Sequence, residues 1–193
     1  MAEEKSPKAG QDVSGARVGL IIAGVLAVVL VGWLLLRGGD DDSASSSEPA
    51  EDGVAQIVTS DDLNERASSR GTPIYWAGPQ DGAELEMTET NGGDNVFVRY
   101  LTDGAAAGEE SPEYLSIGTY AFPDAVAALR KQGSEPGGVI ASAPGNATVY
   151  FNRERPQSVY LAYPGVDLQI EVYDPDPKRA LQMVSSGQIV PVG

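Results

Sequence analysis

The residues best equipped for recognition are aromatic. The run PIYWAGP, Pro73 to Pro79, sets Tyr75 beside Trp76, and SVYLAYPG, Ser158 to Gly165, carries Tyr160 and Tyr163. Flat rings with a hydrogen-bonding tip can stack against a sugar or a peptide, so Tyr75, Trp76, Tyr160 and Tyr163 form the candidate ligand or partner surface. The same rings on strands also make ordinary core. The odd spacing of Tyr160 and Tyr163 sends them to opposite faces of a regular strand. Among acids, Glu84, Glu86 and Glu89 come nearest to a cluster. A glycosidase needs only two carboxylates at the right separation. Here Glu84 and Glu86 alternate with Leu85 and Met87, and that alternation predicts a solvated strand face.

Other chemistries are excluded by composition. The 193 residues include no cysteine and no histidine. Disulfides, thiolate nucleophiles, Cys or His metal sites and triads built on histidine are therefore absent. No Gly-rich nucleotide loop, G-x-S-x-G elbow or S-x-x-K motif occurs. No cofactor is expected. A formal charge of -15 works against binding a phosphate backbone, so nucleic acid is not an expected partner.

Placement comes from GLIIAGVLAVVLVGWLLLRGGDDD, Gly19 to Asp42. Val18 to Leu36 is uncharged and, at 1.5 Å per residue, about 28 Å long, which matches a bilayer's hydrocarbon core. A secretory signal is shorter in its apolar part and is followed by a small-residue cleavage site, whereas Arg37 and three aspartates follow here. The segment is predicted to be an uncleaved transmembrane helix. Lys5, Lys8 and Arg17 outnumber Arg37, so the N-terminus is expected in the cytoplasm and the rest of the chain outside the cell membrane. Residues 1–17 are then a short tail and 18–36 the span. Residues 37–56, rich in Gly, Ser and acid, read as a disordered linker. Residues 57–193 read as the extracytoplasmic domain.

Within that domain the hydrophobic period predicts an α+β fold. A short helix over 57–70 is capped by Thr59 or Ser60, with Leu63 and Ala67 as its apolar stripe and Gly71 as its stop. Strands are predicted at 74–77, 84–90, 96–101, 114–121, 139–141, 148–152, 159–163 and 168–173, with NGGDN as a hairpin turn and 105–113 as a loop. A helix of about three turns is predicted within 122–133, with Pro123 in its first turn, Val126 and Leu129 three apart and Gly133 as its stop. Another is capped by Asp176, starts at Pro177, buries Ala180, Leu181 and Val184 and stops at Gly187. The short turns predict a largely antiparallel sheet with two or three helices. Leu115, Ile117 and Tyr120 recur as Leu168, Ile170 and Tyr173, and Pro123 and Gly133 as Pro177 and Gly187. Two similar β-rich halves, each ending in a helix, would produce this, and so would two strand-to-helix corners built on the same physics.

PIYWAGP, VFVRYL, YLSIGTY, VYLAYPGVDLQIEVYDPDPKRA and SGQIVPV together resemble a set of single-pass, membrane-anchored actinobacterial proteins of unknown function. The resemblance spans about Leu63 to Val192 and implies no activity or catalytic residue. The strand layout closing in a C-terminal helix is also similar to the extracytoplasmic domains of anti-sigma-like proteins, although the short N-terminal tail holds no sigma-binding domain. The expected role is a non-enzymatic, membrane-tethered interaction or ligand-binding module whose partners are the bilayer and an unknown envelope protein or ligand. The alternatives are an envelope structural protein acting by assembly and a carboxylate-dependent hydrolase of wall polymers.

Overall fold

The computed structural model describes residues 53–193. The segments read as cytoplasmic tail and transmembrane helix, and all but the last residues of the segment read as linker, lie outside the described residues. The chain runs β1 (Ala55–Val58), α1 (Ser60–Arg70), β2 (Tyr75–Trp76), β3 (Glu84–Thr90), β4 (Asn95–Leu101), β5 (Ser116–Ala121), α2 (Ala125–Gly133), β6 (Gly138–Ala143), β7 (Ala147–Asn152), β8 (Arg155–Ala162), β9 (Leu168–Tyr173), α3 (Pro177–Ser186) and β10 (Val190–Pro191). The fold is α+β. Eight strands form one antiparallel sheet in the order β1-β3-β4-β5-β9-β8-β7-β6, and β2 pairs with β10 in a small ribbon. β1 takes in residues 55–56, read as linker, and 57–58, read as the start of a helix, because its backbone completes the sheet edge against β3 and the helix begins only at Ser60. Among the described residues no helix is long and apolar enough to cross a membrane.

Side chains alternate between the two faces of the sheet. On the first face Leu85, Met87, Val96, Val98, Ile117, Ile170, Val172, Val159, Leu161 and Val149 build the main core. Leu63 of α1, Ala180, Met183 and Val184 of α3, and Tyr75, Ile189 and Val192 of the ribbon cover them. The second face holds a smaller core in which Ala125 and Leu129 of α2 rest on Tyr150 and Ala162.

Local chemistry explains the helix ends. Thr59 forms a capping box with Asp62: Asp62 N–H donates to Thr59 Oγ1 at 3.2 Å and Thr59 N–H donates to Asp62 Oδ2 at 2.7 Å. α3 follows its expected cap, with Asp176 Oδ1 accepting from Lys178 N–H at 2.9 Å and Gly187 in the left-handed region at φ 75°. Leu181 is exposed and Met183 takes its place in the core, because the buried stripe follows positions 180, 183 and 184. α2 begins at Ala125, so Pro123 precedes the helix, and Asp124 at the N-cap takes φ 55°.

The two meanders β3-β4-β5 and β7-β8-β9 meet at the β5/β9 pair, so the strand order is mirrored about the sheet centre. Antiparallel neighbours in one sheet exchange only about a two-fold normal to it, which keeps each face on its own side. α2 and α3 nevertheless pack on opposite faces. The mirrored order therefore belongs to the strands, and the recurring Pro and Gly mark two similar corners leading to different faces.

Candidate functional site

One transverse row of cross-strand partners crosses the whole second face: Ala55, Thr88, Phe97, Gly118, Glu171, Tyr160, Tyr150 and Ile140. Glu171 sits in the middle, 5% exposed, and among the described residues no Lys or Arg is paired with it. Two tyrosines satisfy it. Tyr120 Oη donates to Glu171 Oε2 at 2.8 Å and Tyr160 Oη donates to Oε1 at 3.0 Å. Tyr120 reaches it by lying over Gly118, where a Cβ would stand 2.7 Å from the hydroxyl. Phe97 meets the Tyr120 ring edge-on at 5.5 Å, and Tyr150 flanks Tyr160 at 5.9 Å. Burial first, then the Glu171 charge, pushes both hydroxyls well above the usual tyrosine range. Both tyrosines therefore stay protonated as donors, and the node holds a carboxylate without using it.

Glu86 corrects the expectation of a solvated face for Glu84 and Glu86, and Glu89 is buried as well. They are 1% and 2% exposed, while Glu84 remains in solvent. Being three apart, they enter opposite faces. Glu89 is held on the first face by Arg66 and Arg70 of α1, which contribute an Arg66 Nε bond of 2.9 Å and an Arg70 Nη1 bond of 3.0 Å. Glu86, on the second face, pairs with its cross-strand neighbour Arg99 at 2.8 Å. Each carboxylate is thus committed to its own arginine, and the two do not face one another across a substrate-sized gap.

The Glu86–Arg99 pair holds down the long β4–β5 connection, residues 102–115. Gly108 N–H donates to Glu86 Oε2 at 2.6 Å, and Arg99 Nη2 donates to the carbonyls of Glu109 at 2.9 Å and Ser111 at 3.3 Å. Tyr173 Oη donates to the Pro112 carbonyl at 2.9 Å, and Arg99 also lies over the Tyr114 ring at 5.4 Å.

Where this strap returns to β5 it forms one wall of a cleft of about 370 Å³. Gln80, Asp81 and Ala83 supply the opposite wall, Tyr100 and Leu115 the floor, and Arg179 of α3 one end. Tyr100 Oη accepts from Ala77 N–H at 2.8 Å, and burial pushes its pKa up to about 12, so the hydroxyl stays protonated. Arg179 is tied to buried Asp174 at 3.3 Å. The cleft presents the Asp81 and Glu113 carboxylates to solvent beside the Tyr114 ring. Among the described residues no group of three or more acidic side chains is placed to hold a metal.

The four aromatic candidates are divided between the faces. Tyr75 and Tyr163 stack at 5.7 Å, 15° from parallel, against the first-face core, and Trp76 lies half-buried beside them, paired with Val190. Tyr160 projects from the second face onto Glu171, as the odd spacing required. None of the four lines the cleft. Glu86 with Arg99 was reachable from sequence: closing the hairpin on NGGDN places them directly opposite, and opposite charges in that position pair. Asp81, Glu113 and Arg179 carried no such signal, since three separate elements bring them together.

No family model, no curated protein and no solved structure matches this chain.

Proposed function

We propose that this chain is a membrane-tethered, non-enzymatic interaction or ligand-binding module, with its N-terminus in the cytoplasm and residues 57–193 outside. The observation that carries the reading is the cleft, where the Asp81 and Glu113 carboxylates converge beside the Tyr100 and Tyr114 rings. The buried carboxylates elsewhere are each occupied by arginine or tyrosine partners. Residues 18–36 support the tether through length and lack of charge. The resemblance to uncharacterised single-pass actinobacterial proteins is part of the same proposal.

Crosslinking the intact protein in its own membrane tests it. Captured partners whose yield falls in an Asp81→Asn, Glu113→Gln variant support binding through the cleft. No captured partner, together with hydrolysis of wall polymers by the purified chain, would overturn it. A second reading is assembly through the sheet edges: β1 and β6 carry no charged residue and expose Ile57 at 48% and Ile140 at 43%. Crosslinks confined to copies of this chain would favour that reading instead.

A further inference from the structure

We propose that the strap is an internal occupant of a site that recognises turn-bent peptide main chain, and that it can be exchanged for a partner's segment. This rests on the reading of the domain as an interaction module and names the partner's chemistry. Glu86, Arg99 and Tyr173 stand in one transverse row of the second face, joined through Ser116. All three address the strap's backbone: one amide, at Gly108, and three carbonyls, at Glu109, Ser111 and Pro112. Such contacts do not depend on the occupant's side chains at those positions. The pair is held independently of the strap, since Glu86 Oε1 accepts from Arg99 Nη1 at 2.8 Å across the β3–β4 ladder.

The strap itself is weakly anchored. No residue from Thr102 to Tyr114 is buried, so no apolar side chain holds it to the sheet. Segments without buried apolar contacts open at a fraction of the global free energy. Asp103, Gly104 and Gly108 take positive φ, at 58°, 75° and 77°, and bend the strap at its first half. Opening would uncover a buried acid–base pair, and an incoming segment that adopts the same turn, closed here from Glu109 N–H to the Ala106 carbonyl at 3.1 Å, would restore its bonds.

The β4–β5 register permits a clean test. Extending it brings Leu101 opposite Tyr114, so an Asn-Gly turn can replace residues 102–113 and remove the strap. The full-length shortened variant, checked for native circular dichroism, is titrated with a labelled peptide of residues 105–113, AAAGEESPE. Saturable binding is expected, reduced roughly ten-fold or more by N-methylation at the position of Gly108 or by Arg99→Met in the protein, and changed less than about three-fold by alanine at either glutamate following that glycine. Absence of binding, or a loss that follows the glutamate side chains and ignores the N-methyl group, overturns the proposal. Amide exchange on the unmodified full chain is the independent arm. Gly108 must exchange far faster than the β4 amides; exchange only with global unfolding would also overturn it. Membrane crosslinks to a partner, with both arms negative, would remove the strap's role and leave the interaction module standing.

Discussion

A carboxylate with no cation near it survives inside this sheet because two tyrosine hydroxyls replace its water. Glu171→Ala leaves both hydroxyls without acceptors and should cost about 3 kcal/mol, while Glu171→Gln, which keeps one acceptor oxygen, should cost less. Urea unfolding of the two variants checks the order. Gly118→Ala tests the same node from below, since its Cβ cannot coexist with the Tyr120 hydroxyl at 2.7 Å. A loss of about 1–3 kcal/mol is expected. The tyrosines also set an alkaline limit. Their folded pKa lies above the unfolded value of 10.0, so their contribution is complete below pH 10 and is lost as pH rises beyond it. Tyrosinate absorbance should show Tyr100, Tyr120 and Tyr160 ionising only as the domain unfolds.

Helix α1 shows how an element with little core is kept in place. Leu63 is its single buried residue and Ala67 packs partly buried against the same core, and polar contacts add to these: the Thr59 capping box and the Arg66 and Arg70 clamp on Glu89. Thr59→Ala should destabilise the domain by about 1 kcal/mol in denaturant. The bonds from Thr59 hold the Asp62 carboxyl below its ordinary value of 3.8. That stabilisation is therefore present above pH 3.8 and is lost as pH falls through the lower folded value. The difference between wild type and Asp62→Asn should shrink in acid, measured by thermal unfolding across pH 2 to 6. At this scale the sequence was widely legible. Capping residues, the NGGDN turn and the Gly187 stop act within a few residues of themselves, so their chemistry is local. β1 escaped because a four-residue strand at a sheet edge has too short a pattern to distinguish it from a linker.

Across the whole molecule, the proposed tether and the sheet make separate predictions. Protease added to intact cells should remove the chain beyond about Gly39, and full protection of that region would place the domain on the other side of the membrane. The uncharged span and its flanking lysines and arginines suffice for that expectation, since a bilayer reads length, hydropathy and charge and nothing tertiary. Alternating apolar residues likewise determined that strands would form and which side chains they would bury on the first face. They misplaced Glu86, because period two says which face a residue takes and not whether an arginine or a strap covers it there. The cleft joining Asp81, Glu113 and Arg179, the Glu171 node bridging β5, β8 and β9, and the opposite faces of α2 and α3 were decided only in the tertiary structure. Each depends on residues tens of positions apart becoming neighbours through strand order, and strand order is set by the packing of the whole sheet.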